Sequence, residues 1–185
     1  MKRIAIIMAC VLFMAQGCIT IVRDSGPAQD EVISKLGDPQ PTEAWEQLSP
    51  GMSTKEDVIS KLGEPQTVEI SEDGEILGYP TQNESMPNYV VMKGGVVQYT
   101  TMILPADERE CLAEIVQKYG EPEKITYSSF SHETKTYVYA TQGITLIVNK
   151  NAGKIYEKKC YTPMSLDEYM RTLGKNLPLK NPYIR

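Results

Sequence analysis

The sequence predicts an α+β protein with two tandem units, each a helix followed by an antiparallel sheet. Residues 31–40 recur almost verbatim at 57–66 and more loosely at 115–123. In each copy, apolar residues at helical spacing lead to glycine and then proline, a combination that ends a helix. Short runs rich in Val, Ile, Thr and Tyr follow the last two copies, and these residue types favour strands.

The first 17 residues predict an export signal. Lys2 and Arg3 form a positive start, and the apolar stretch at 4–15 is shorter than the roughly 20 residues that span a bilayer. Small residues then precede Cys18, and this order is typical of a signal peptide. Cleavage before Cys18 makes it the first residue of the mature chain, whereas cleavage nearby leaves it a free thiol.

Residues 15–18 resemble the lipobox of bacterial lipoproteins, with Gly17 before the cysteine. The resemblance implies a diacylglyceryl group and an N-acyl chain, such as palmitate, on Cys18. Each buried methylene adds about 0.8 kcal/mol, so these chains anchor a protein stably to a membrane. In a Gram-negative cell, Ile19 in place of Asp implies transport to the outer membrane, with the protein on its periplasmic face.

The charge balance excludes nucleic acid as a partner. The chain has 19 Lys and Arg against 24 Asp and Glu, a formal net charge of −5, and losing Lys2 and Arg3 with the signal makes it −7. Nucleic-acid binding requires a basic face, and the sequence shows no polybasic patch for anionic lipid heads. The lipid on Cys18 is therefore the predicted membrane contact.

The first unit is predicted at 42–105, after a lipidated leader and helical arm at 18–41. A short helix at 42–48 leads to a helix at 54–62, which Ser53 and Glu56 begin as a capping box. Alternating residues and turn signals predict its strands at 67–71, 76–79, 88–92 and 96–104, with turns at Asp73-Gly74 and Gly94-Gly95.

The second unit is predicted at 106–161 and repeats this order. Asp107 and Glu110 form a capping box for a helix at 108–119. Strands are predicted at 124–130, 134–140, 144–148 and 154–161. Residues 162–185 are predicted to form a closing helix, at 165–173, and a loose tail. Amphipathic helices need an apolar surface, and an antiparallel sheet with one free face provides it.

Residues 45–65 carry a family resemblance. The segments Pro50-Gly51-Met52-Ser53 and Leu62-Gly63-Glu64-Pro65 resemble the motif of the SmpA/OmlA (BamE-like) outer-membrane lipoproteins. The resemblance implies that Gly51 links two short helices and that Met52 fills the space between helices and sheet. It also implies that Gly63 and Pro65 turn the chain into the first strand.

The second unit has Gly120 and Pro122 at the corresponding places, and the tandem layout resembles the β-lactamase-inhibitor-protein-like fold. BamE-like proteins assist the outer-membrane β-barrel assembly machine. This chain is longer than they are, with a second unit and a closing helix, so the resemblance implies the fold more strongly than the assembly role.

Two cysteines remain once the signal and the lipid are accounted for. Cys111 and Cys160 are enough for one disulfide, which an oxidising compartment permits and which stabilises by constraining the unfolded chain. The alternative is a pair of unrelated buried thiols. The sequence leaves both open.

No pattern in the sequence predicts an enzyme, a metal site or a cofactor. His132 is the single histidine and falls in a predicted hairpin turn, whereas a general base needs an orienting partner and a nucleophile. A Cys111–His132 dyad is the remaining catalytic hypothesis. One histidine and two distant thiols do not form a zinc site.

The predicted function is therefore a non-catalytic, lipid-anchored envelope protein that acts by protein–protein interaction, in outer-membrane protein assembly or envelope integrity. A sheet face with Tyr127, Tyr137 and Tyr139 is the predicted contact with an envelope partner. No small-molecule substrate is expected. The alternative is a small-ligand-binding or enzyme-inhibitor protein that uses the concave sheet face, with an aromatic groove between the two units.

Overall fold

The computed structural model describes residues 39–72, 74–81 and 86–183. The predicted signal peptide, Cys18 and nearly all of the first copy of the repeated phrase lie outside these ranges. Among the described residues, no helix combines the length and apolar character needed to cross a membrane.

The described chain is α+β, as predicted, with one eight-stranded sheet whose neighbouring strands are all antiparallel. Its helices are α1 (Thr42–Glu46), α2 (Lys55–Leu62), α3 (Leu112–Tyr119) and α4 (Leu166–Arg171), with a 3₁₀ turn at Ala140–Gln142. Its strands are β1 (Thr67–Ser71), β2 (Gly74–Tyr79), β3 (Asn88–Lys93), β4 (Val96–Ile103), β5 (Lys124–Tyr127), β6 (Thr134–Tyr139), β7 (Ile144–Asn149) and β8 (Ile155–Tyr161).

The strand order is β1-β2-β3-β4-β8-β7-β6-β5. Two four-stranded meanders therefore meet through their last strands, and Tyr99 of β4 pairs with Tyr161 of β8. The outer strands β1 and β5 form the two edges of the sheet. Each meander has a register shift between its third and fourth strands, which increases the local twist.

Helices α2 and α3 begin later than their predicted capping boxes. Thr54, not Ser53, precedes α2, and Asp57 Oδ2 accepts the Thr54 N–H at 2.8 Å. Cys111 precedes α3, and Glu114 Oε2 accepts the Cys111 N–H at 3.0 Å. The predicted boxes are wrong because several nearby residues satisfy the same spacing. Tertiary pairing selects among them, since Thr54 bridges to Val96 and Cys111 to Lys154.

Both helices end at the predicted glycine. The Gly63 N–H donates to the Ile59 carbonyl at 2.9 Å, and the Gly120 N–H donates to the Val116 carbonyl at 2.8 Å. Their backbone angles, φ 79° with ψ −170° and φ 81° with ψ −165°, lie in a region that only glycine occupies readily. This is not the left-handed helical conformation expected from the sequence, but it stops the helix for the same reason.

The main core lies on one face of the sheet, under α1, α2 and α3. Trp45 of α1, Val58 and Leu62 of α2, and Ile115 of α3 are all buried there. The strands contribute alternate residues, as a pleated sheet requires, including Leu77, Tyr79, Val90, Val97, Leu146, Val148 and Ile155. Burial of this apolar surface is the main stabilising contribution, at about 25 cal/mol per Å².

The opposite face of the sheet is covered over β6, β7 and β8, so in this part it is not the free face expected from the sequence. Thr145 lies between Ile144 and Leu146, which point into the main core, so its side chain faces the other way. There the Thr145 hydroxyl lies 3.0 Å from the hydroxyls of both Tyr161 and Tyr169. Helix α4 begins with the Ser165 cap as predicted, and it builds a second core on this face.

The tail after α4 is also ordered against the sheet, so the expectation of a loose tail is wrong for residues 174–183. The N–H of Tyr127 in β5 donates to the Pro178 carbonyl at 3.3 Å, and the Thr126 hydroxyl donates to the same carbonyl. The Tyr183 hydroxyl donates to the Ser129 carbonyl at 2.7 Å. The tail therefore contacts the last two residues of the β5 edge.

Candidate functional site

The two cysteines cannot form the disulfide that the sequence left open. Both thiols are free. Cys111 bridges to Lys154 at one end of β8, and Cys160 lies six residues further along the chain, near the other end of that strand. A strand rises about 3.3 Å per residue, so roughly 20 Å separates the two backbones, far beyond the 7 Å or so that a disulfide tolerates.

The two thiols therefore have separate local roles. Cys111 supplies the N-terminal position of α3. Cys160 is directed toward the main core beside Ile144 and Thr100, and burial raises the pKa of its thiol. A thiol with a raised pKa is a poor nucleophile, because the thiolate is the reactive form.

The three tyrosines Tyr127, Tyr137 and Tyr139 do not form the predicted docking surface. Tyr137 and Tyr139 are two residues apart on β6, so both point to the helix-covered face. Tyr139 is only 1% exposed, and Tyr137 packs against the same core. Tyr127 is half-buried on β5, with the Lys135 ammonium 4.4 Å from its ring centre. A contact through Tyr139 is therefore wrong, because the helices already cover it.

The residues of the predicted family motif lie in the turns around α2 and α3. Gly51, with φ 83°, lies in the turn between α1 and α2, and its N–H donates to the Val97 carbonyl at 2.7 Å. Met52 is 74% exposed, so the expectation that it fills the interior is wrong. The turn directs Met52 outward, and Ser53 is buried in its place. Pro65 and Pro122 follow the two helix-ending glycines and precede β1 and β5.

His132 lies in the turn before β6 with 70% of its side chain exposed. Its Nε2 is 3.9 Å from the Glu133 carboxylate, and its ring contacts Tyr183 edge-on. Across the residues that the structure describes, no three His, Cys, Asp or Glu side chains are grouped to hold a metal ion.

The free edge at β1 is the feature that best fits a binding site. All five residues of β1 are exposed, and among the described residues no strand pairs with its outer side. Val68 is 52% and Ile70 80% exposed, and the pleat places both on the helix side of the sheet. The alternate residues Thr67, Glu69 and Ser71 face the other way. Exposed edge strands are templates for a further strand.

A second candidate is an apolar pocket of about 360 Å³ near the junction of β4 and β8. Met102, Leu104, Phe130 and Tyr156 form its apolar wall. The Arg109 guanidinium stacks on the Tyr156 ring at 4.0 Å, and its Nε donates to the Leu104 carbonyl at 3.3 Å. The sequence did not single out these residues, because strand pairing between the two meanders brings them together.

Comparison with known proteins gives no assignment by sequence. No protein-family model matches the chain, and no curated protein matches it significantly.

Three solved structures share part of the arrangement. A DUF4309 family protein (YjgB) from Bacillus subtilis is 17% identical, with a TM-score of 0.44, over 71% of this chain and 96% of its own. A cysteine-rich secretory protein (SAV1118) from Staphylococcus aureus is 13% identical, with a TM-score of 0.45, over 79% of this chain and 52% of its own.

An extracellular protein containing a SCP domain from Bacillus anthracis is also 13% identical, with a TM-score of 0.42, over 75% of this chain and 53% of its own. The chain thus spans about half the length of the last two proteins.

Proposed function

We propose that this chain is an exported, lipid-anchored envelope protein that binds a protein partner by strand addition at β1. The occupant is an extended segment of the partner that pairs antiparallel or parallel with β1 and continues the sheet. In this recognition mode, main-chain hydrogen bonds give affinity, and pockets for alternate side chains give specificity. The observation that carries the proposal is the exposed, unpaired and apolar edge at Val68 and Ile70.

The pattern of β1 specifies the chemistry of the partner strand. Its helix-side residues Val68 and Ile70 are apolar and exposed, so the partner presents apolar side chains there. Its other side carries Glu69, with Glu72 directly after the strand. Opposite charges across paired strands are stabilising, so the partner presents Lys or Arg on that side. The net charge of −5 favours the same choice.

The difference between β1 and β5 supports a binding role for the β1 edge. Proteins normally protect sheet edges by covering or charging them. This chain bonds its tail to the last two residues of β5, whereas no described strand pairs with the outer side of β1, which has two exposed apolar residues. An edge of this kind that is not used for binding is a site of aggregation.

We further propose that the fold consists of two tandem units, one ending with β4 and the other with β8. Corresponding features support this: α2 and α3 have equal lengths, and each ends at a glycine with φ near 80°. The residue before each helix also forms a bridge at the start of the last strand of its unit, Thr54 to Val96 of β4 and Cys111 to Lys154 just before β8. The repeated register shifts support it as well.

The proposed membrane attachment rests on Cys18 and on the similarity of residues 45–65 to the SmpA/OmlA (BamE-like) lipoproteins. A lipid on Cys18 places the folded body beside the membrane, on the periplasmic face of the outer membrane in a Gram-negative cell. A partner in the barrel-assembly machine presents strands during folding, and strand addition at β1 suits such a partner. Metabolic labelling with palmitate tests the anchor, because Cys18→Ala should abolish incorporation.

A matched pair of positions tests the docking proposal. Val68 on β1 and Ile125 on β5 occupy equivalent places after the two helices and are similarly exposed, at 52% and 48%. A photo-crosslinking amino acid at residue 68 should capture a partner in intact envelopes, and the same group at residue 125 should not. Peptide mapping should place the captured segment in an extended stretch with alternating apolar and basic residues. Equal capture at both positions, or capture of a helix, contradicts the proposal.

A backbone variant separates strand addition from simple surface contact. The N–H groups of Glu69 and the alternate residues Thr67 and Ser71 face β2. Those of Val68 and Ile70 therefore face the open edge. Proline at position 70 removes an outward N–H from β1 and blocks regular pairing at the edge. It should abolish capture from residue 68 while leaving the main core intact, because all of β1 is exposed. Glu69→Lys, which keeps the outward N–H groups but reverses a charge, should weaken capture less. A proline variant that captures the partner as well as the parent chain excludes strand addition.

The alternative function, binding of a small ligand, is favoured by the apolar pocket beside Phe130 and Tyr156. A ligand there should be retained during mild purification, because apolar pockets of several hundred Å³ are typical of ligand sites. Native mass spectrometry of the purified protein should then show a constant mass increment, which Tyr156→Ala removes. A bare protein mass under the same conditions argues against this function.

A further inference from the structure

A basic cavity lies on the second face of the sheet, away from the β1 edge. It has a volume of about 400 Å³ and lies between the β3–β4 hairpin, β8 and the end of α4. Four cationic side chains line it: Lys93, Lys159, Arg171 and Lys175. Tyr99 and Leu173 add an aromatic and an apolar wall, and no carboxylate lines it within the described part of the chain.

This concentration of positive charge is unexpected in an acidic chain. The net charge is −5, yet three separate segments bring four cations to one cavity. Like charges placed together repel, so this arrangement destabilises the folded state unless a group of opposite charge occupies the cavity. The ion pairs formed among the described residues, at Lys55–Glu75, Lys158–Glu46 and His132–Glu133, include none of the four.

Lys159 is the least solvated of these cations. The adjacent residue on β8, Lys158, faces the helix side of the sheet and pairs with Glu46 at 2.8 Å. Lys159 faces the cavity instead. Burial lowers the pKa of Lys159, and Glu157, two residues earlier on the same face, opposes this only in part. The Lys159 ammonium lies 5.0 Å from the centre of the Tyr99 ring.

A desolvated ammonium without an ion-pair partner is costly. An anion in the cavity would remove this cost and would also neutralise the repulsion among the four cations. Four donors around one volume favour a group with more than one negative charge. A phosphate monoester carries about −1.5 to −2 charges and three strong acceptor oxygens. Arginine binds such groups with a two-pronged geometry and lysine binds them as a point charge.

We propose that this cavity is a binding site for a phosphate-bearing anion, held by Lys159 and Arg171 with Lys93 and Lys175 at its mouth. The apolar wall of Tyr99 and Leu173 receives the organic part of the ligand. The phosphate belongs either to a lipid headgroup or to a free phosphate compound, because both present the same chemistry to the cations. The site lies on the opposite face from α2 and is independent of strand addition at β1.

The test uses the full-length lipoprotein in a neutral detergent, with sodium chloride holding the ionic strength constant. Inorganic pyrophosphate and the soluble short-chain lipid dihexanoyl phosphatidic acid, a phosphate monoester, are titrated separately, with dihexanoyl phosphatidylcholine as the zwitterionic control. Binding is followed by isothermal calorimetry and by the rise in melting temperature that a ligand of the folded state produces. Saturable binding of pyrophosphate alone assigns a free phosphate compound, and stronger binding of phosphatidic acid assigns a headgroup.

Two variants test whether these ligands bind in the cavity. Lys159→Gln and Arg171→Gln should each weaken binding at least tenfold. Lys150→Gln, which makes the same charge change in the turn at the far end of β8, should leave the affinity unchanged. Lys159→Gln should melt no lower than the parent chain without ligand, because it removes a desolvated cation, so lost binding cannot be attributed to unfolding. Equal affinity in all three variants, or no saturable binding of either ligand, overturns the proposal.

Discussion

The two edge strands of the sheet, β1 and β5, follow equivalent segments of the chain but differ in their exposure and contacts. Each follows an eight-residue helix, a glycine with φ near 80° and a proline. Yet all of β1 is exposed, whereas β5 is bonded to the tail through Tyr127 and Thr126. Since the preceding segments are so similar, the difference arises from the chain that follows β8. Residues 162–183 cover one face of the second half of the sheet and bond to the end of β5, whereas no described strand pairs with the outer side of β1.

The second core, which α4 builds on the other face of the sheet, also distinguishes the two halves of the sheet. Tyr161 and Tyr169 stack with ring centres 5.2 Å apart, and Val138 and Ala140 are fully buried beside them. In this part of the sheet, both faces are covered, one by α3 and the other by α4. Stability should therefore depend on α4 as strongly as on the helices of the main core, and the following variants test this comparison.

The largest effect is expected for Tyr169→Ala, which removes a side chain only 1% exposed, its stacking with Tyr161 and its contact with the Thr145 hydroxyl. Loss of a large buried aromatic costs about 3–5 kcal/mol. Urea unfolding measures the change, and hydrogen exchange should show that β5 amides lose protection as the tail is released. The control Ile70→Ala, on the open edge, should change stability by less than about 0.5 kcal/mol. Similar losses at both positions would remove the contrast between the two halves.

The two helix-ending glycines give a matched pair of intermediate effect. A methyl group at Gly63 or Gly120 meets no atom within 4 Å, so the cost comes from backbone strain alone. That strain is about 1–3 kcal/mol for a residue other than glycine in this region. Gly63→Ala and Gly120→Ala should therefore destabilise equally in urea unfolding. A marked inequality would show that the two helix ends are not equivalent.

The starts of the same helices should respond in opposite directions. Thr54→Ala removes a hydroxyl that accepts the Asp57 N–H at 3.3 Å and should cost about 1 kcal/mol. Cys111→Ser should instead stabilise α3 by a few tenths of a kcal/mol, because a hydroxyl is a better cap than a thiol. Thermal melting of the two variants checks the signs. Destabilisation by Cys111→Ser would mean that the thiol is held by packing rather than by its capping position.

The smallest effect is a difference in acid stability. The hydrogen bond from the Thr54 N–H is the main cause that lowers the pKa of Asp57 from its usual value of 3.8. Because the folded-state pKa is the lower one, this contribution is complete above pH 3.8 and is lost as the pH falls through the folded-state value. Asp57→Asn should flatten the stability curve below pH 4 or so, while Glu56→Gln should not. Identical curves for the two variants would exclude the capping role of Asp57.

The positions of the strands were predictable because strand signals are local. Alternating residues around Asn88 and turn residues at Gly94 and Gly95 predict the β3–β4 hairpin within a residue or two of its observed bounds. The starts of α2 and α3 were less accessible, because two or more residues in each segment satisfy the capping pattern. The bridges from Thr54 to Val96 and from Cys111 to Lys154 decide between them, and these pairings join residues that are far apart in sequence.

The candidate sites were mostly inaccessible to sequence reasoning. The tyrosines of β6 look like an exposed aromatic surface until α3 is placed on the same face, where Tyr119 meets the Tyr139 ring at 6.3 Å between centres. The cations of the basic cavity come from positions 93, 159, 171 and 175, and no periodicity connects them. Charge composition even argues against such a site, because the net charge is negative.

The sequence by itself determined where the chain turns, where helices stop and which segments extend. These properties depend on backbone freedom at glycine and proline and on side-chain alternation over a few residues, so neighbouring residues suffice to express them. Only the tertiary structure decided that β4 pairs with β8, that α4 and the tail cover the second face, and that β1 remains open. Those outcomes depend on which distant surfaces bury each other, and the free energy of that burial belongs to the whole fold rather than to any one segment.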